Sequence, residues 1–136
     1  MKIDGACHCG AITIEGEADP NAVSICHCTD CQTSTGTAFR ISVPVAGGTL
    51  KMTGQPTTYL KTTADSGKPR LQAFCGRCGT PLYSTTPGEG VQPIYVVRVG
   101  MLRQREQLTP KKQTWWRSAR PWVTTLDAVP KFEKQS

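Results

Sequence analysis

The sequence predicts an all-β fold for this chain of 136 residues. Three observations carry that expectation. Short runs rich in Thr, Val, Ile and aromatic residues recur along the chain, Gly/Pro punctuation separates them, and no heptad pattern, linker or low-complexity tract interrupts the series. The length suits a single domain, placed at residues 1–130, followed by a mostly polar tail at 131–136 that is expected to fray.

The first strand is expected at Ala11 to Glu15, where Ile and Thr cluster after Gly10. Phe39 to Val43 and Thr49 to Thr53 follow, parted by Gly47-Gly48. Gly54-Gln55-Pro56 then turns the chain into a strand at Thr57 to Thr62, and Ser66-Gly67-Lys68-Pro69 turns it again into Arg70 to Cys75. Pro81 to Thr85 and Ile94 to Val99 flank the turn Pro87-Gly88-Glu89-Gly90. In these reversals glycine supplies positive φ angles and proline a fixed one. Helix is expected in two places only, Thr29 to Thr35 after Cys28 and Thr114 to Ala119 before Pro121.

The longest apolar run, Ile94 to Val97, is far below the roughly 20 residues of a membrane span. The start, Met1-Lys2-Ile3-Asp4-Gly5, has no apolar leader, so a soluble, cytoplasmic protein without membrane contact is expected. Net charge is +6, and all of the excess is C-terminal: residues 1–97 hold seven Lys/Arg and seven Asp/Glu, residues 98–136 nine against three. This reads as solvated basic surface with no specific nucleic-acid partner.

The chemistry sits in the cysteines. All seven fall into three clusters: Cys7 and Cys9; Cys26, Cys28 and Cys31; Cys75 and Cys78. An odd number without a secretion signal disfavours a disulfide framework. Packing gives no reason for one- and two-residue spacings, whereas zinc takes four tetrahedral ligands and close-spaced thiolates let one turn of chain supply two or three. Seven divides as four plus three. The pairs Cys7/Cys9 and Cys75/Cys78 make a closed structural site if the N-terminal strand runs beside the loop Cys75-Gly76-Arg77-Cys78-Gly79. Cys26, Cys28 and Cys31 come from one short segment and leave zinc an open, more labile fourth position, as catalytic sites do.

His8 and His27 each lie between two cysteines, and on an extended strand their side chains point away from the flanking sulfurs, so both read as packing or supporting imidazoles. His27 has the better claim on catalysis, as a proton carrier beside the open site. Asp30 and Arg40 read as a solvated turn and a strand-edge charge. Trp115, Trp116 and Trp122, interleaved with Arg117 and Arg120, read as a cap on a small core, with a pocket wall over the metal or a stack on nucleobases as the sharper alternatives.

These motifs resemble a known family. Cys7-His8-Cys9-Gly10, Cys26-His27-Cys28-Thr29-Asp30-Cys31, Phe74-Cys75-Gly76-Arg77-Cys78-Gly79 and Ser118-Ala119-Arg120-Pro121-Trp122 are similar, in this order, to the glutathione-dependent formaldehyde-activating family, also called the centromere protein V/GFA domain. The resemblance spans nearly the whole chain. It implies a small β-tent of several coiled antiparallel sheets with zinc-binding knuckles, a structural zinc on Cys7, Cys9, Cys75 and Cys78, and a catalytic zinc on Cys26, Cys28 and Cys31. It also implies condensation of glutathione with formaldehyde, a carbon–sulfur lyase activity. On that reading a thiol and a small aldehyde are the partners, and Arg117, Arg120, Lys111 and Lys112 pair with the glutathione carboxylates. Two readings from other classes compete: a zinc-ribbon-like nucleic-acid-binding module using the basic C-terminal third, and a metal-buffering or redox-sensing protein using labile thiolates.

Overall fold

The computed structural model describes residues 1–88 and 93–135. Among them are ten strands and one α-helix: β1 (Lys2–Ala6), β2 (Thr13–Glu17), β3 (Ser24–Cys26), α1 (Thr29–Thr35), β4 (Arg40–Ala46), β5 (Lys51–Thr53), β6 (Thr57–Lys61), β7 (Arg70–Phe74), β8 (Pro81–Thr85), β9 (Ile94–Arg98) and β10 (Lys112–Thr114). The protein is all-β, and all seven expected strands are present with ends moved by up to three residues. The turn expected at Pro87-Gly88-Glu89-Gly90 extends outside the described residues.

Three strands escaped the composition signal. β1, β3 and β10 are three to five residues long and hold one or two strong β formers at most, so pairing with neighbours holds them where propensity does not. The helix expected at Thr114 to Ala119 is corrected: Thr114 ends β10, Trp115 takes a left-handed conformation at φ 56°, and only a 3-10 turn at Trp116–Ser118 follows. A further 3-10 segment runs from Pro121 to Ala128. No helix of the described residues is long and apolar enough to cross a membrane.

The strands form two sheets. One has the order β1-β2-β5, and the other β10-β3-β4-β9-β8-β7-β6. Pairing is antiparallel except between β10 and β3, which run parallel because the late strand returns alongside the early one. Alternation along the central strands sorts the larger sheet into two faces. Val43, Val45 and Val97 point to one side and are fully buried in a cluster with Ile3 and Ile14 of the smaller sheet and with Leu82, Leu102 and Leu108. Full burial of each aliphatic side chain contributes about 1.5–3 kcal/mol. The intervening residues form the other face, and register aligns them: Cys26 opposite Arg40, Ser42 opposite Arg98, Ser84 opposite Val96 and Gln72, and Lys61 opposite Arg70. That face is polar and cationic, and it lines a cavity.

Candidate metal centres

Two groups of sulfurs converge, and they divide the seven cysteines as four and three. Cys7, Cys9, Cys75 and Cys78 bring their Sγ atoms within 4.8 Å of one another, as do Cys26, Cys28 and Cys31. All seven are free thiols. Both clusters have the number, type and proximity of donors that suits a thiophilic metal ion.

The four-cysteine cluster joins the end of β1 to the β7–β8 connection, 66 residues further on between Cys9 and Cys75. Two tight turns shape it. Gly10 N–H donates to the Cys7 carbonyl at 2.9 Å with Gly10 at φ 80°, and Gly79 N–H donates to the Cys75 carbonyl at 2.7 Å, also at φ 80°. Sulfur separations are 3.6 Å for Cys7–Cys9 and 3.8 Å for Cys9–Cys75. The Ile12 N–H donates to Cys7 Sγ at 3.2 Å, and the Thr80 hydroxyl lies 3.2 Å from Cys78 Sγ. That hydroxyl and the neighbouring backbone N–H groups pull the Cys78 thiol down to about 5. His8 is exposed, and its N–H donates to the Thr80 hydroxyl at 3.0 Å.

The three-cysteine cluster is made where β3 ends and α1 begins. Cys28 is the N-cap of α1, its sulfur accepting from the Cys31 N–H at 3.3 Å. One helical turn then carries Cys31 back over the same spot. Gly36, at φ 69°, ends the helix by donating its N–H to the Gln32 carbonyl. The Gln32 side-chain amide ties the segment down, donating to the His27 carbonyl at 2.7 Å and the Ser118 carbonyl at 3.0 Å. Sharing of one proton among the sulfurs splits their acidity: the hydrogen bond from Cys31 pulls Cys26 down to about 5, and the same bond, with burial, pushes Cys31 up.

This cluster forms part of the wall of a cavity of about 690 Å³. The wall also takes in the polar face of the larger sheet, with Arg40, Lys61, Arg70 and Arg98, together with Trp115 and Ser118. Arg40, read from sequence as a strand-edge charge, is 9% exposed. Burial, with the like charge of Arg40 beside it, pulls the Arg98 guanidinium down to about 9.

His27 lies on the opposite side of its strand from the flanking sulfurs. It is fully buried, 2.8 Å through Nε2 from Gln113 Oε1, and edge-on to Phe39 and Trp116. It does not line the cavity, and neither do Arg117, Arg120, Lys111 or Lys112. Arg117 instead stacks over Trp115 at 4.9 Å, and Arg120 donates to the Ser118 carbonyl. The tryptophans do not act together as a core cap: Trp115 lines the cavity, while Trp116 and Trp122 are half exposed. Asp30 is bound by Lys61 and Thr63, each at 2.9 Å, so the solvated turn is an anchored one.

Sequence reasoning missed Arg70, Arg98, Ser42, Gln72 and Ser84. The signal lay in alternation: Arg40-Ile41-Ser42-Val43 and Arg70-Leu71-Gln72-Ala73 each alternate polar and apolar residues with period two, which puts the polar ones on one face.

Fold and clusters together define a small all-β protein with two candidate metal centres, one of them at a cavity wall. The chain belongs to the glutathione-dependent formaldehyde-activating enzyme family, whose model matches residues 2–118. A crystal structure of a Rhodobacter sphaeroides protein shares the fold with a TM-score of 0.60, at 23% identity, covering 82% of this chain and 99% of that chain. No curated protein matches the chain.

Proposed function

We propose that the chain is a zinc-dependent enzyme of the carbon–sulfur lyase type, making and breaking the bond between a glutathione-like thiol and a small, formaldehyde-like aldehyde. The observation that carries this reading is the three-cysteine cluster in the wall of a cavity large enough for a small molecule. Family membership supports the same chemistry. The seven thiols suit the reducing cytoplasm.

Cys7, Cys9, Cys75 and Cys78 would hold one zinc as a structural clasp, and Cys26, Cys28 and Cys31 a second, labile one. Zinc–thiolate bonds of about 2.3 Å in a tetrahedron separate the sulfurs by about 3.8 Å, which the 3.6 and 3.8 Å in the four-cysteine cluster match. Zinc with three protein ligands supplies a replaceable fourth position, where the pKa of an arriving thiol falls. The chain's own residues do the rest. Arg40 and Arg98 favour ionised sulfur at the cluster. Water in the cavity takes the thiol proton, the sulfur attacks the carbonyl carbon, and the carbonyl oxygen takes a proton, so that thiol plus aldehyde becomes a hemithioacetal. The reverse path cleaves the same C–S bond. Because His27 lies behind the cluster and outside the cavity, the proton transfer expected of it is assigned to water.

Uncatalysed addition is itself fast, so the test is exchange at equilibrium, read from NMR line broadening with the enzyme-free rate subtracted. Wild-type protein should exceed background with at least one pairing of glutathione or another thiol with formaldehyde or a larger aldehyde, and Cys28→Ser should not. No excess with any pairing contradicts the enzyme reading; no excess with glutathione alone rejects only that substrate.

A further inference from the structure

The cavity beside the three-cysteine cluster carries more positive charge than the cluster neutralises. Arg40 on β4, Arg98 on β9 and Arg70 on β7 share one face of the sheet and line the same cavity. Arg40 and Arg98 are each 9% exposed. Among the described residues, no carboxylate lies within ion-pair distance of any of the three. Of the two acidic residues in the cavity wall, Asp30 is held by Lys61 and Thr63, and Asp65 sits on an exposed loop. Three thiolates around a divalent ion leave one negative charge against three guanidinium charges.

The neutral groups are arranged to suit the same kind of ligand. Arg98 donates to Ser42 Oγ at 3.0 Å and to Gln72 Oε1 at 2.8 Å, and Arg70 donates to Ser84 Oγ at 3.0 Å. Each acceptor is thereby oriented and keeps its own O–H or N–H to donate. The Nε atoms of Arg40 and Arg98 are buried and have no partner. Burying guanidinium groups without counter-charge is costly, and a bound oxyanion removes that cost through charge-assisted, planar hydrogen bonds.

We propose that this arginine row is an oxyanion subsite, and that the molecule handled at the three-cysteine cluster carries a carboxylate or phosphate group close to its reacting part. The proposal rests on reading the cluster as a thiol–aldehyde site, and it fixes what else the thiol or aldehyde must bear. It also moves anion recognition from the C-terminal basic residues to the sheet.

Binding is tested on the zinc-loaded protein by calorimetry with inorganic phosphate at constant ionic strength in chloride. Saturable binding is expected, at least about tenfold weaker in Arg70→Gln, whose side chain is partly exposed and whose loss the fold should tolerate. Lys51→Gln, which removes the same charge from the smaller sheet, should bind like wild type. Absence of saturable phosphate binding in wild type, or equal affinity in Arg70→Gln, overturns the subsite. A second arm compares mercaptopropionate with its uncharged counterpart mercaptopropanol in the exchange assay. Preference for the carboxylate, lost in Arg70→Gln, supports the subsite, whereas equal catalysis of the two overturns it while leaving the enzyme reading standing. Phosphate binding without catalysed exchange of any thiol has the opposite meaning: the subsite stands and the enzyme reading falls.

Discussion

Cys28 holds two positions at once, a sulfur of the three-cysteine cluster and the N-cap of α1. Serine is among the best N-caps, so Cys28→Ser keeps the helix start while removing a soft ligand. It is therefore expected to change stability by less than about 1 kcal/mol and to bind one metal ion fewer, as read by thermal melting and mass spectrometry. Cys78→Ser should behave differently. It opens the cluster that ties β1 to the β7–β8 connection, and a closed site contributes to folding directly. Loss of soluble, folded protein is expected, and a folded Cys78→Ser variant with undiminished tight metal would refute the pairing. At this scale the sulfurs were legible because ligand spacing is a local signal. The arginines were not, because Arg40, Arg70 and Arg98 meet only through strand register across β4, β9 and β7.

At the scale of elements, β1 shows why composition runs out. Its sequence, Lys-Ile-Asp-Gly-Ala, is a poor strand, yet Gly5 bridges to Leu102, and a Cβ there would fall on the Met101 carbonyl oxygen. The missing side chain is what lets the two backbones meet beside the core. Gly5→Ala should therefore cost about 3 kcal/mol, the upper part of the range for overpacking a tight site. Gly36→Ala, where a Cβ meets nothing but the helix cap is left-handed, should cost only about 1 kcal/mol. Denaturant melts of the two variants check the order, and equal destabilisation would mean the close approach at Gly5 is relieved by a shift of β1. The seven expected strands, β2 and β4 to β9, were legible because turn residues bound them and most are rich in β formers. Trp115 explains the lost helix, since a left-handed tryptophan interrupts the run that Thr114 to Ala119 suggests.

On the scale of the whole molecule, the larger sheet separates two environments. One face closes the apolar core, and the other carries Cys26, Arg40, Arg70 and Arg98 into a cavity. The basic excess counted along the chain is C-terminal, whereas the arginines that line the cavity, Arg40, Arg70 and Arg98, come from β4, β7 and β9. We propose that two sulfur sites divide the work, one closed and holding the fold, one open to the cavity and doing the chemistry. The most direct test is stepwise metal removal from the wild-type protein, following zinc per chain by native mass spectrometry, fold by NMR and thiol–aldehyde exchange in the same samples. The expected result is two zinc ions per chain, with mild chelation taking one while the fold persists and catalysed exchange disappears. Loss of both ions in one cooperative step with unfolding, or exchange that survives removal of the first ion, would contradict it.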